Sequence, residues 1–138
     1  MIKVRYHADI DEIRQVEGSD WIDLRCAEDV TMRAGEYRLI SLGVSIELPK
    51  GYEAIIAPRS STPSKHNIIC ANSIGIIDES YCGDDDIWRF PAYAIGDTRI
   101  PANTRICQFR LIRHMPRFEI RTVPTLRNPN RGGIGSTG

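Results

Sequence analysis

The chain has 138 residues, of which 18 are basic and 18 acidic, so its formal net charge at pH 7 is zero. This length predicts one domain with a real core, since 41% of the residues are hydrophobic. The balanced charge does not favour general nucleic-acid binding. Apolar runs are too short for a membrane span and the N-terminus lacks a signal-peptide pattern, so we expect a cytoplasmic protein with no membrane partner.

The four cysteines form no Cys-x-x-Cys pair and only three histidines are present, so we expect no structural zinc site. Cys26, Cys70 and Cys107 are predicted to be reduced thiols that act as small hydrophobic side chains. Cys82 lies in a polar turn and is predicted to be more exposed.

The N-terminal part of the chain begins and ends with strand character. Residues 2–7 alternate apolar and polar side chains, which predicts a half-exposed strand. Ile10, Ile13 and Val16 recur at helical spacing, which predicts a turn or two of helix over residues 9–17. Residues 21–26 are again strand-like and contain Asp23. Because a buried carboxylate needs a cation or several donors, we expect an Arg or Lys beside Asp23. Asp23 then has either a role in a functional site or only a structural salt bridge.

Three more strands are predicted at residues 37–40, 43–48 and 52–57. The last of them stops at the segment 58–64, Pro-Arg-Ser-Ser-Thr-Pro-Ser, which is predicted to be a loop or short helix. Arg59 beside the hydroxyls of Ser60 and Ser61 suits a phosphate, because a planar bidentate cation lies next to hydroxyls and free backbone donors. The alternative is a serine-capped loop with a surface arginine.

Residues 72–84 are the most informative stretch. An apolar run over residues 74–77 predicts a strand that ends on Asp78, and a tight turn containing Tyr81 follows. We expect a β-hairpin that holds Asn72, Asp78 and Tyr81 near one pocket. Asn72 can pair with the edge of a base, Tyr81 can pack on a sugar, and Asp78 can take a proton from water. The alternative is an ordinary hairpin whose polar residues cap the turn.

The remaining strands are predicted at residues 87–95, 105–111 and 118–123, and Pro91 is expected at a sheet edge or bulge. Turn signals recur every 8–12 residues or so, which predicts a β-sandwich or barrel over residues 1–123. Residues 124–138 have little to bury and are predicted to form a mobile, glycine-rich arm. Glycines let backbone N–H groups curl around an anion; a mobile terminus without a function is the alternative.

Five of these stretches, in this order, resemble the sequence motifs of the trimeric dUTPase family, in the branch of Gram-positive bacteria and their phages. They are residues 23–24, 58–61, 72–83, 105–108 and 132–138. The resemblance implies a jelly-roll fold, a homotrimer with three sites at subunit interfaces, and Mg²⁺-dependent hydrolysis of dUTP to dUMP and pyrophosphate. It also implies that motifs two and four come from one subunit, motif three from another, and the C-terminal arm from the third.

The resemblance further implies roles for single residues. Asp78 deprotonates the attacking water, Tyr81 packs under the deoxyribose, and Asp23 lies near the metal without contacting it directly. Gln108 holds phosphate oxygens, and both Gln108 and Asp23 belong with Asp78 to the catalytic group. The base and sugar are otherwise bound by Asn72, Gly75 and Ile77, and the phosphates by Arg59, Ser60, Ser61, Arg131, Gly133, Gly135, Ser136 and Thr137.

The arm departs from the family pattern. Ile134 replaces the aromatic residue that stacks on uracil, and Pro129 occupies the usual arginine position, between Arg127 and Arg131. Either Ile134 forms a weaker lid or another aromatic side chain substitutes. The candidates are Trp88 and Phe90.

Two alternatives to a dUTPase remain from sequence. A dCTP deaminase of the same fold needs a glutamate on the strand after the hairpin, where residues 87–91 contain no acid. A catalytically weak trimeric module could instead bind a regulatory protein, through the strand from Trp88 to Tyr93 or through residues 8–20.

Overall fold

The computed structural model describes residues 1–135 of the chain. Within these residues it has eleven strands and one short helix. The elements are β1 (Lys3–Tyr6), β2 (Ile22–Arg25), β3 (Val30–Met32), β4 (Tyr37–Ser41), β5 (Val44–Glu47), β6 (Tyr52–Pro58), α1 (Thr62–His66), β7 (Ile68–Cys70), β8 (Gly75–Ile77), β9 (Arg89–Ala94), β10 (Thr98–Ile100) and β11 (Arg105–Arg113).

The strands pair antiparallel in four small sheets. The largest has the order β2-β11-β6-β8, a second has the order β4-β9-β7, and β1-β5 and β10-β3 form two-stranded sheets. One hydrophobic core lies between them, because alternate residues of each strand point inward. Its largest fully buried side chains include Trp88, Phe90, Phe109, Leu24 and Met32. The predicted all-β, jelly-roll-like fold is confirmed.

Most predicted strands are present, and the segment after β6 contains the predicted short helix, α1. Three strands were missed: β3, β7 and β10. Each has only three residues, which is too few for an alternating pattern to stand out in the sequence. They form because a longer partner supplies the hydrogen bonds: β7, for example, pairs with β9.

The predicted helix over residues 9–17 was wrong; the segment has an irregular backbone. Two of its amide groups bond to side chains outside the segment rather than along a helix. The N–H of Asp11 donates to Asn103 Oδ1 at 2.9 Å, and the N–H of Ile13 donates to the Tyr6 hydroxyl at 2.7 Å. Ile10 and Ile13 pack against the core from this irregular segment.

The predicted strand at residues 118–123 was also wrong. The segment has no regular structure, and Ile120 is 95% exposed. A strand needs a partner, and in residues 1–135 none pairs with this segment.

Pro91 lies in the central strand β9, not at a sheet edge, and its pairing with β4 is regular. Its carbonyl accepts the N–H of Ala71, just beyond the end of β7 at Cys70. Proline has no N–H to donate, and at Pro91 this side of the backbone faces the end of β7. Little hydrogen bonding is therefore lost there. Of the described helices, none is long and apolar enough to span a membrane.

Candidate active site

Asp23 lies between two arginines on the sheet β2-β11-β6. Its Oδ1 is 3.0 Å from Arg59 Nε, and its Oδ2 is 3.2 Å from an Arg105 terminal nitrogen. The predicted cationic partner is therefore confirmed, and there are two. The side chains of Asp23 and Arg59 are only 32% and 26% exposed, so solvent screens this pair less than a surface ion pair.

Gln108 lies beside this cluster. It is opposite Asp23 on β2 and Ala57 on β6, and its Nε2 donates to the carbonyl of Pro58 at 3.1 Å. In the second motif, Ser60 comes directly after Arg59 and is exposed. Ser61 is half-buried at the start of α1. The structure thus brings motifs one, two and four together in one chain, because β11 pairs with both β2 and β6.

The third motif, residues 72–83, contains β8. Gly75 is buried, and a side chain there would place its Cβ 3.3 Å from the Cβ of Ile56, a tight contact that glycine avoids. The expected β-hairpin was wrong. β8 pairs with β6, whereas β7 pairs with β9, so Asn72 lies in a connection between two sheets. Asn72 is exposed, and its Oδ1 accepts the thiol of Cys70 at 3.1 Å.

Asp78 and Tyr81 form the turn after β8. The N–H of Tyr81 donates to the carbonyl of Asp78 at 3.0 Å. The Tyr81 hydroxyl donates to the carbonyl of Ile87 at 3.1 Å, so the ring is held while it stays 39% exposed. Asp78 is exposed and Ile77 is half-buried.

The Asp78 end of the third motif lies far from Arg59 of its own chain. β8 pairs with β6 so that Ile77 is opposite Ala54, and continuing this register puts Asp78 beside Glu53. Arg59 follows the other end of β6. Six residue steps of about 3.3 Å each separate these positions along the strand, a distance of about 20 Å. One subunit therefore does not bring Asp78 to its own Arg59.

Sequence reasoning missed a contact that anchors the Asp78 turn. Glu79 Oε2 accepts the N–H of Gly51 at 3.1 Å and lies 3.4 Å from His114 Nε2. The N–H of His114 donates to the carbonyl of Gly51 at 2.9 Å. The turn is thus tied to the start of β6 and to the chain just after β11. No local pattern indicates this contact, because its partners are far apart in sequence.

The chain is exposed from residue 115 to residue 135, which includes the described part of the arm. Arg131, Gly133 and Gly135 are among its exposed residues; Ser136 and Thr137 lie outside the described residues. Ile134 is fully exposed. Trp88 and Phe90 were wrong as substitute lids, because both side chains are fully buried in the core.

The cysteines behave as predicted: three are buried and Cys82 is exposed. Burial raises the pKa of the Cys107 thiol well above its usual value, and nearby Cys70 and Asp23 raise it further. This thiol is therefore protonated and unreactive at neutral pH. Within residues 1–135, no group of three or more His, Cys, Asp or Glu side chains could hold a metal ion.

A family model described as dUTPase matches residues 12–138. The chain is 52% identical over 141 residues to the SPbeta prophage-derived deoxyuridine 5'-triphosphate nucleotidohydrolase YosS of Bacillus subtilis, covering 99% of this chain and 97% of that protein. It is 36% identical over 124 residues to the deoxyuridine 5'-triphosphate nucleotidohydrolase of Clostridium acetobutylicum, covering 88% and 84% of the two chains.

Solved structures share the fold. A variant of the Staphylococcus bacteriophage 80alpha dUTPase with dUpNHpp matches with a TM-score of 0.80 and 19% identity, over 100% of this chain and 98% of that one. The dUTPase of Streptococcus mutans matches with a TM-score of 0.74 and 21% identity, over 84% and 98%. A variant of the dUTPase of phage phi11 of S. aureus, described as coordinating a structural Mg(II) ion, matches with a TM-score of 0.78 and 16% identity, over 93% and 99%.

Proposed function

The chain belongs to the dUTPase family, and we propose that it hydrolyses dUTP to dUMP and pyrophosphate by attack of water on the α-phosphorus. The observation that carries this proposal is the cluster of Arg59, Arg105 and Gln108 around Asp23. It offers cationic and amide donors for a triphosphate on a rigid three-strand platform. The substrate belongs to the nucleotide pool, which suits the expected cytoplasmic location.

We propose that the active form is a homotrimer with sites between subunits. The distance of about 20 Å along β6 separates Asp78 from the phosphate-binding end of its own chain. A cyclic trimer brings the Asp78 end of one subunit to the Arg59 end of the next, and closed rotational symmetry repeats this arrangement three times. The register of β6 and β8 supports this assembly, since a monomer would leave the two ends apart.

The phosphate end of the site binds the triphosphate. Arg59, with Ser60 and Ser61 after it, and Gln108 hold phosphate oxygens. Asp23 keeps Arg59 and Arg105 in place and reduces their net charge. Because the arginines are held before substrate binds, little reorganisation is needed when charge develops on the α-phosphoryl group.

The other end of the site binds the nucleoside and activates water. Asn72 and the backbone at Gly75 and Ile77 bind the uracil edge, and the exposed face of Tyr81 packs under the deoxyribose. Asp78 orients the attacking water and removes its proton. The hydroxyl bond to Ile87 and the backbone bond to Asp78 support this role of Tyr81, since they hold its ring in one orientation.

Mg²⁺ is the proposed cofactor. Both Asp23 oxygens already contact arginines, so the donor set fits a metal held mainly by the triphosphate and water, with Asp23 reached through a water molecule. When bound, the metal would neutralise phosphate charge. The arm of a third subunit, through Arg131, Gly133, Gly135, Ser136 and Thr137, closes over the outer phosphates and excludes water.

A second role, as a regulatory module, is proposed beside catalysis. Phage 80alpha dUTPases are described as controlling transfer of virulence genes by a G protein-like mechanism. In this chain, residues 8–20 form an irregular and largely exposed segment, which is a suitable surface for a protein partner. A dCTP deaminase is disfavoured, because β9 (Arg89–Ala94) carries no acidic residue to shuttle protons.

The test is product formation by the purified protein with Mg²⁺ on dUTP, dCTP, dTTP and UTP, with pyrophosphate and ammonia recorded in parallel. We expect pyrophosphate from dUTP alone. Ammonia from dCTP would identify a deaminase. Neither product, from an intact trimer that binds dUTP, would leave the regulatory role as the better proposal.

A further inference from the structure

Thr62, the first residue of α1, is fully buried and its hydroxyl makes two hydrogen bonds. Its Oγ1 accepts the backbone N–H of Arg59 at 2.8 Å and donates to the carbonyl of Ile106 at 2.7 Å. The N–H of Thr62 also donates to the carbonyl of Arg59 at 3.0 Å. One buried oxygen therefore connects the segment after β6 with β11.

Ile106 is the extra residue of a β-bulge. Arg105 and Cys107 are opposite consecutive residues of β2, so Ile106 has no partner there, and the pairing of β11 with β6 ends at Cys107. A buried carbonyl without a partner is unfavourable, and Ile106 is fully buried. The Thr62 hydroxyl supplies the donor that this carbonyl needs.

The two segments that Thr62 connects carry the groups around Asp23. Arg59 contacts one carboxylate oxygen, and Arg105, just before the bulge, contacts the other. Gln108 follows two residues after the bulge and bonds to the carbonyl of Pro58. A change at the bulge would therefore alter the direction of Arg105 relative to Arg59.

We propose that Thr62 is a positioning residue for triphosphate binding. Its hydroxyl holds the backbone of Arg59 and the bulge at Ile106 in one arrangement, so that Arg59, Arg105 and Gln108 face the phosphates together. This inference rests on the proposed function. Thr62 itself contacts no substrate; it acts through the positions of Arg59, Arg105 and Gln108.

The chain contains a matched control for Thr62. The Thr98 hydroxyl donates to the carbonyl of His66, the last residue of α1, at 2.6 Å. Thr98 thus anchors the other end of the same helix and contacts none of the groups around Asp23. Thr98→Val measures the effect of losing a hydroxyl that only anchors the helix.

The experiment compares wild type, Thr62→Val, Thr62→Ser and Thr98→Val. Thr62→Val removes the hydroxyl at nearly constant volume, whereas Thr62→Ser keeps it. Calorimetry with Mg²⁺ measures Kd for dUpNHpp and for dUMP, and dUTP hydrolysis is assayed on the same samples. Thermal unfolding and trimer mass are recorded for each protein.

We expect Thr62→Val to weaken dUpNHpp binding about 10- to 100-fold, as for a misplaced positioning group, while dUMP binding changes much less. Asp78 and Tyr81 follow the end of β8 that is opposite Ala54, away from Arg59, so their contacts with the nucleoside should be unaffected. Thr62→Ser should bind both ligands within about threefold of wild type, a difference of less than 1 kcal/mol. Thr98→Val should retain the binding and activity of wild type.

Equal weakening of both ligands in Thr62→Val, or the same loss in Thr98→Val, would show a general effect on the fold and overturn the inference. Unchanged dUpNHpp binding in Thr62→Val would also overturn it. A different result would contradict the proposed function: the wild-type protein would bind dUpNHpp but release no pyrophosphate from dUTP. The Kd comparison still tests Thr62 in that case, and absence of any dUpNHpp binding by wild type would overturn both.

Discussion

Two inactive variants should restore activity to each other if each site combines Asp78 of one subunit with Ser60 and Arg59 of the next. Asp78→Asn removes the proposed base and should reduce kcat at least about 100-fold. Ser60→Asp places a carboxylate at an exposed position in the phosphate-binding segment. Two like charges about 4 Å apart repel by about 4 kcal/mol at an effective dielectric constant of 20, which corresponds to a loss of about a thousandfold.

The magnitude of the recovery follows from the number of sites in a mixed trimer that contain both intact residues. An active site in a mixed trimer needs an intact Asp78 from one subunit and an intact Ser60 from its neighbour. Every cyclic trimer that contains both variants has one such site, because only at one of its three interfaces does a subunit with intact Asp78 meet the intact Ser60 of the next. Purified mixed trimers should therefore show about one third of wild-type activity, while each variant alone is almost inactive.

The assay is pyrophosphate release from dUTP after the two variants are co-expressed with different tags and purified through both. Wild type carrying both tags gives the reference rate. The matched control mixes Asp78→Asn with the double variant Asp78→Asn and Ser60→Asp, in which no subunit has an intact Asp78; it should stay inactive. Mixed trimers that are no more active than the separate variants would refute the interfacial site, because both motifs would then act within one chain.

Three further predictions test the arm, the packing and the pH dependence. Deleting residues 128–138 should strongly reduce kcat/KM while trimer mass stays the same; loss of the trimer would mean that the arm is structural. Gly75→Ala should lower the free energy of unfolding by about 1–2 kcal/mol in urea titrations, because its Cβ would lie 3.3 Å from that of Ile56; an unchanged midpoint would contradict this packing. Burial, with two neighbouring cations, lowers the pKa of His66 in the folded protein. The unfolded chain therefore binds this proton more readily, so stability should fall as the pH drops below about 6.5. Urea midpoints at neutral and acidic pH should show a smaller loss for His66→Gln, and an equal loss in both proteins would exclude this contribution.

The wrong secondary-structure predictions share a physical cause. Residues 9–17 have helical spacing, but their amide groups bond to Tyr6 and Asn103, one of which is distant in sequence. Residues 118–123 alternate like a strand, but no strand of the described chain pairs with them. The spacing of apolar residues indicates which side chains can share a face. It does not indicate whether the backbone of that segment has a hydrogen-bonding partner.

The candidate site could be predicted only in part, because some of its contacts depend on segments that are far apart in the sequence. The need of Asp23 for a cation followed from the chemistry of a buried carboxylate, and the structure supplies Arg59 and Arg105. The buried environment of Trp88 and the bonds of Thr62 depend on packing between distant segments. Local composition carries no information about these contacts.

The all-β class, most strands and the chemical character of the five motifs could be predicted from the sequence, because alternation and side-chain chemistry are local properties. Which motifs meet depends on how the strands pair in the folded chain. β11 pairs with β2 and β6, which gathers Asp23, Arg59 and Gln108, whereas β8 joins β6 in a register that leaves Asp78 at the opposite end. Strand order and register depend on contacts between residues far apart in the chain, so they emerge only when the whole core is packed.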